Sequence, residues 1–127
     1  MKIEEALGRA LALQNAGRIA EAESLSRQVL QVAPEHPGAL FLLGVCRHMQ
    51  GDHVAALRLM DASIALNPEV PSSHYNRGLA LQEMGRLTEA VDSYSRAIEL
   101  QPKHALACNN RGNALLRLGR HEAAVGS

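Results

Sequence analysis

Residues 73–102 read SHYNRGLALQEMGRLTEAVDSYSRAIELQP, and this stretch decides the fold because the sequence on either side repeats it in weaker form at a fixed spacing. A displacement of 34 residues brings the same residue types back into line: Gly17, Gly51, Gly85 and Gly119 form one column, Ala22, Ala56, Ala90 and Ala124 a second, and Pro34, Pro68 and Pro102 a third. No insertion breaks the register. A strict period of this length marks a repeat protein, in which each unit buries its apolar face against its neighbours and not within itself.

The columns divide the chain into repeats at residues 3–36, 37–70 and 71–104 and an incomplete fourth at 105–127, together one solenoid domain over residues 1–127. In each repeat a first apolar-periodic run of about fourteen residues ends at the column glycine, and a second run ends just before the column proline. Both runs are predicted to be helices. Glycine can take the left-handed conformation that closes a helix, and proline cannot continue one and disfavours helical geometry in the residue before it. All five prolines fall at repeat junctions. The expected fold class is all-α, an α-solenoid of antiparallel helix pairs with about three and a half repeats.

Small residues show how the two helices of a pair come together. Ala10, Gly44, Gly78 and Gly112 lie mid-helix, where glycine costs roughly 0.5–1 kcal/mol relative to alanine. Close approach of a facing helix explains them, and the expected facing column is Ala22, Ala56, Ala90 and Ala124. Beside it run Ala12, Cys46, Ala80 and Ala114, so Cys46 reads as a small buried apolar residue in an alanine column. Leu30, Ile64 and Ile98, with Val32, Leu66 and Leu100, are expected to fill the space between successive pairs.

Composition excludes several classes of function. Hydrophobic residues make up 46% of the chain and aromatics 2%, so Ala, Leu, Val and Ile must fill the interior. Thirteen basic residues balance thirteen acidic ones without a charged block, which disfavours nucleic acid and anionic membrane surfaces as partners. The start MKIEEALGRALALQ carries Glu4 and Glu5 where a secretory leader would be basic and then apolar. A cytoplasmic location and two free thiols, Cys46 and Cys108, are expected. Among the six histidines, His36 aligns with His104 and His53 with His121, while His48 and His74 stand alone, so no metal-ligand set converges. No nucleophile elbow, phosphate loop or paired-cysteine motif is present. No catalytic residue, metal or cofactor is expected.

The set Gly78, Leu81, Gly85, Ala90, Tyr94, Ala97 and Pro102 on this period resembles the tetratricopeptide repeat, and the resemblance extends over nearly the whole chain. Two departures stand out. The family's frequent tryptophan early in the first helix is replaced by Ala6, Leu40, His74 and Cys108, and its second-helix aromatic survives only as Tyr94, with Ser26 and Met60 in line with it. The resemblance implies a right-handed superhelix whose first helices line a concave groove that binds peptides or extended segments of partner proteins.

On that basis, and from helical spacing, the candidate groove residues are Phe41, Leu42, Val45, Tyr75, Asn76, Leu79, Gln82, Asn109, Asn110 and Asn113. The first three make an apolar half and the rest a half rich in carboxamides. A carboxamide carries both donor and acceptor, so asparagines in line, with Asn76 stacked over Asn110, can bind the main chain of an extended peptide whatever its sequence. The competing view leaves them as solvated residues on an exposed face. Grooves of the related carboxylate-clamp type depend on lysines, and Lys2 and Lys103 lie off the inward columns. Arg77 and Arg111 are expected to pair with neighbouring glutamates. The expected function is a protein-interaction scaffold with a protein or peptide ligand. One alternative is the substrate-recognition repeat region of a larger glycosyltransferase similar to O-linked N-acetylglucosamine transferase; another is a self-assembling structural repeat. The fourth repeat ends soon after its second helix begins, so a homodimer through that uncapped repeat is also expected.

Overall fold

The computed structural model describes the backbone of residues 2–126 and the side chains of residues 2–120. It resolves into two compact units, Met1–Pro68 and Glu69–Ser127. The first holds α1 (Ile3–Asn15), α2 (Ile19–Val32), α3 (Pro37–Met49) and α4 (His53–Leu66), and the second α5 (Pro71–Glu83), α6 (Leu87–Leu100) and α7 (Ala105–Gly126). All seven are α-helices, and the described residues contain no strand. Consecutive helices pack in pairs, α1 on α2, α3 on α4 and α5 on α6, with α2 against α3 and α6 against α7.

The glycine column makes the turn within each pair. Gly17, Gly51 and Gly85 have φ of 81°, 85° and 77°, the left-handed region that favours glycine. Each turn closes with the same two backbone bonds. At the first, Gly17 N–H donates to Gln14 O at 3.0 Å and Arg18 N–H to Leu13 O at 2.8 Å, which satisfies carbonyls that the helix end would leave unpaired. Pro37 and Pro71 occupy the first turns of α3 and α5, where a missing N–H costs nothing. His36 and His104 do the capping at their junctions: each Nδ1 accepts from a backbone N–H, of Ala39 at 3.3 Å and of Ala107 at 3.2 Å.

Packing corrects several column assignments. A Cβ at Gly78 would stand 2.5 Å from Tyr94 Cε1, so the residue pressed most closely on Gly78 is Tyr94. A Cβ at Gly44 would lie 2.9 Å from Met60 Cε, in line with Tyr94, and 3.5 Å from the carbonyl oxygen of Ala56, in the expected alanine column. The corresponding residues of the first pair, Ala10 and Ser26, are both fully buried. As the second-helix residue grows from serine to methionine to tyrosine, the first-helix residue gives up its methyl group. Val32 is 77% exposed and does not fill an interface. It ends α2, and Val29, one turn earlier, is the buried residue, in line with buried Ser63 and Ala97. Ala12 is exposed, whereas Cys46, Ala80 and Ala114 of its column are buried.

The fourth repeat departs most from expectation. Gly119 closes no helix, and α7 runs through it without a break. A Cβ at Gly112 would meet nothing within 4 Å. Leu115 is 50% exposed, whereas Leu81, in line with it on α5, is fully buried. Ala114 is buried, because its side of α7 packs on α6. The side chains of Ala124 and His121 lie outside the described residues.

Candidate functional site

Unit two presents a polar surface that starts from Tyr94. Its ring lies on Gly78, and its hydroxyl donates to Gln82 Oε1 at 2.8 Å. Tyr94 is fully buried, and that burial raises its pKa well above the usual phenol range. The Tyr75 ring packs beside it, centroids 6.0 Å apart, and against the His104 imidazole at 5.0 Å. Tyr75 is thus held between the end of one helix pair and the cap of α7.

The Tyr75 hydroxyl accepts from Asn110 Nδ2 at 3.1 Å. Burial raises the Tyr75 pKa and keeps its proton on, although the bond from Asn110 opposes the shift. The geometry divides the labour of the two groups. The Tyr75 O–H has accepted a bond and still has its own proton to give. The Asn110 carboxamide has used one of its two N–H donors, and its Oδ1 remains as acceptor. A donor and an acceptor side by side on a half-buried surface match the C=O and N–H of a peptide main chain.

The other expected residues divide unevenly. Asn76 is turned back on its own helix, with Nδ2 donating to Ser72 O at 2.9 Å, so the asparagine that bridges helices is Asn110, bonded to Tyr75. Gln82 is engaged by Tyr94, Leu79 is half-buried, and Asn109 and Asn113 are exposed on α7. Arg77 and Arg111 donate to serines on α6, Arg77 Nη1 to Ser93 Oγ at 2.8 Å and Arg111 Nη1 to Ser95 Oγ at 3.4 Å, and Arg77 also acts, after Arg86, to lower the pKa of Glu89.

In unit one, Phe41 and Val45 are half-buried and Leu42 is 6% exposed. Phe41 and Leu42 share an apolar depression with Leu7, Gly8, Leu11 and Gly38 on the face of α1 and α3. Gly38 there escapes sequence reasoning, because an absent side chain gives no apolar signal.

Two histidines expected to stand apart meet. His48 Nδ1 and His53 Nδ1 are 3.1 Å apart across the turn at Gly51. No group of three or more His, Cys, Asp or Glu among the described residues is placed to hold a metal ion. Both cysteines are free, Cys46 buried and Cys108 exposed. Burial raises the Cys46 pKa, and the Gln14 amide at 3.5 Å only partly counters it. No helix among the described residues is long and apolar enough to cross a membrane.

Comparison with known proteins bears on the family and the fold. Tetratricopeptide repeat models match residues 7–71, 71–104 and 93–126. No curated protein sequence matches at a significant level. Among solved structures, a mutant of the O-GlcNAc transferase of Thermobaculum terrenum is similar at a TM-score of 0.86 and 33% identity over 89% of this chain, which spans 22% of the transferase. The first repeat domain of Spaghetti, bound to an HSP90 peptide, aligns at a TM-score of 0.86 and 20% identity over 93% of this chain and 94% of its own. The Sgt2 domain of Aspergillus fumigatus gives 0.88 and 17% identity, covering 95% and 82% of the two chains. At these lower identities the likeness is one of fold, all-α and built of helix pairs.

Proposed function

The chain belongs to the tetratricopeptide repeat family, and from that premise we propose that it is a protein-interaction scaffold whose α5 and α7 hold the main chain of an extended peptide. The observation that carries this reading is the Tyr75–Asn110 bond, which leaves the Tyr75 O–H as donor and the Asn110 Oδ1 as acceptor for a secondary amide. Each such bond contributes roughly 0.5–1.5 kcal/mol net, so recognition would depend on several along the peptide. Among structural neighbours, Spaghetti binds an acidic HSP90 peptide. The surface here carries no lysine at Tyr75, Asn76, Gln82 or Asn110 with which to grip a carboxylate, so a main-chain amide suits it better than an acidic tail.

The reading can be tested without knowing the partner. Capped pentaglycine and capped pentasarcosine share a backbone, but the second lacks every main-chain N–H. Titration of the full chain should move the Asn110 side-chain amide resonances with pentaglycine and leave them in place with pentasarcosine. Equal movement, or none with either, would remove the proposal.

The transferase match supports a second reading, in which these repeats form the substrate-recognition part of a larger glycosyltransferase. Sequencing the locus on both sides tests it: a glycosyltransferase domain in the same frame would support it, and flanking stop codons would exclude it.

A further inference from the structure

The face shared by α1 and α3 carries an open notch of about 290 Å³, lined by Leu7, Gly8, Leu11, Gly38, Phe41 and Leu42. Two absent side chains shape it. In the 34-residue register Gly8 aligns with Leu42, Asn76 and Asn110, and Gly38 with Glu4, Ser72 and Leu106, so both glycines fall where other repeats carry a side chain. Gly38 has a local reason, since a Cβ there would stand 3.1 Å from Cε1 of the His36 imidazole that caps α3. Gly8 has none. It lies inside α1 without a positive φ, and a Cβ there would meet nothing within 4 Å. Glycine within a helix weakens it relative to any ordinary residue, so the position gives up stability with no packing or turn in return.

Building on the peptide-scaffold reading, we infer that the notch is an anchor site for one bulky apolar side chain, aliphatic or aromatic, of an extended partner segment that is uncharged at that position. Leu11 is 45% exposed within it, a large apolar surface left to water. No lining residue is ionisable, so a charged side chain would shed its hydration without gaining a partner. The volume falls just below the range for small-molecule sites and suits one or two side chains. Anchors of this kind, seated in a small apolar pocket, dominate many interfaces.

Gly8→Leu sets an apolar side chain at the rim of the notch, where its Cβ meets nothing within 4 Å, and should melt at or above the wild-type temperature. A phage-displayed library of random twelve-residue peptides, selected on the full chain, supplies the probe. The peptides recovered should share a Leu, Ile, Met, Phe or Trp at one position. A synthetic representative should bind Gly8→Leu at least about tenfold more weakly by fluorescence anisotropy. Leu11→Asp, which sets a charge in the wall of the notch, should do the same and guards against a folding artefact in the first variant. Recovery of no peptide, a charged consensus, or undiminished binding by both variants would overturn the inference. Loss on Asn110→Ala with retention on Gly8→Leu would leave the amide reading standing and remove the notch. The opposite pattern would keep the notch and remove the amide reading. A wild-type dimer that Gly8→Leu dissociates in light scattering would assign the notch to a second copy and overturn the choice of occupant.

Discussion

The ring of Tyr94 occupies the space that a side chain on Gly78 would need, at 2.5 Å from a Cβ built there. Gly78→Ala must therefore displace a buried ring whose hydroxyl is tied to Gln82. We expect a loss of about 1–3 kcal/mol in urea denaturation. Gly112→Ala, in the same column, meets nothing, and should stabilise by roughly 0.5–1 kcal/mol through helix propensity. Equal effects at the two positions would show that the aromatic contact does not govern the column.

Tyr94 also gives the chain an alkaline limit. Its folded pKa is raised above the ordinary value of 10.0, first by burial and then by Tyr75 and Glu83. A raised folded pKa means that the stabilisation is fully present below pH 10.0 and is lost as pH rises beyond it, with a slope approaching 1.4 kcal/mol per pH unit for one proton. Tyr94→Phe should flatten this limb in denaturation measured from pH 8 to 11, leaving the smaller contribution of Tyr75, whose pKa is raised in the same direction. An unchanged slope would mean that Tyr94 ionises without unfolding the repeat.

The two aligned asparagines should behave differently. Asn110→Ala removes the carboxamide oriented by Tyr75 and should weaken peptide binding about tenfold, the equivalent of 1.4 kcal/mol. Asn76→Ala removes a group bonded to its own helix at Ser72 and should change binding less than threefold. Isothermal titration with a library-derived peptide separates the two, and equal losses would restore a ladder in which both contribute alike.

Leu115 and Leu81 share a column, yet one is 50% exposed and the other fully buried. The bare side of α7 around Gly112 and Leu115 should therefore favour self-association. We expect light scattering over a dilution series to show a dimer that Leu115→Gln shifts toward monomer. A monomer at every concentration would exclude this contact.

The helix pairs are legible in the sequence wherever a glycine turn is backed by packing. Gly17, Gly51 and Gly85 take the left-handed conformation, and in the last two turns the second helix returns to lay Met60 or Tyr94 on a glycine of the first. Gly119 has nearly the same neighbours in sequence, but glycine permits a turn without imposing one, and α7 continues through it. The candidate site is less legible because its contacts do not obey the period. Tyr75 and Asn110 are 35 residues apart, one step off the column, and His48 meets His53 across five residues of a turn. Aligned columns find equivalent residues and not touching ones.

The matched sizes of facing residues restrict how such an array can be cut and rejoined. Gly78 with Tyr94 and Gly44 with Met60 are couples fitted to each other, so a crossover at a glycine turn, between the first helix of one repeat and the second helix of another, separates partners. Joining a helix that carries alanine at this position to one that carries tyrosine would force atoms together, and joining glycine to serine would leave a hole. A crossover at the proline junctions keeps every couple intact. The heritable module in this chain is therefore the helix pair bounded by prolines, and the single helix is not interchangeable.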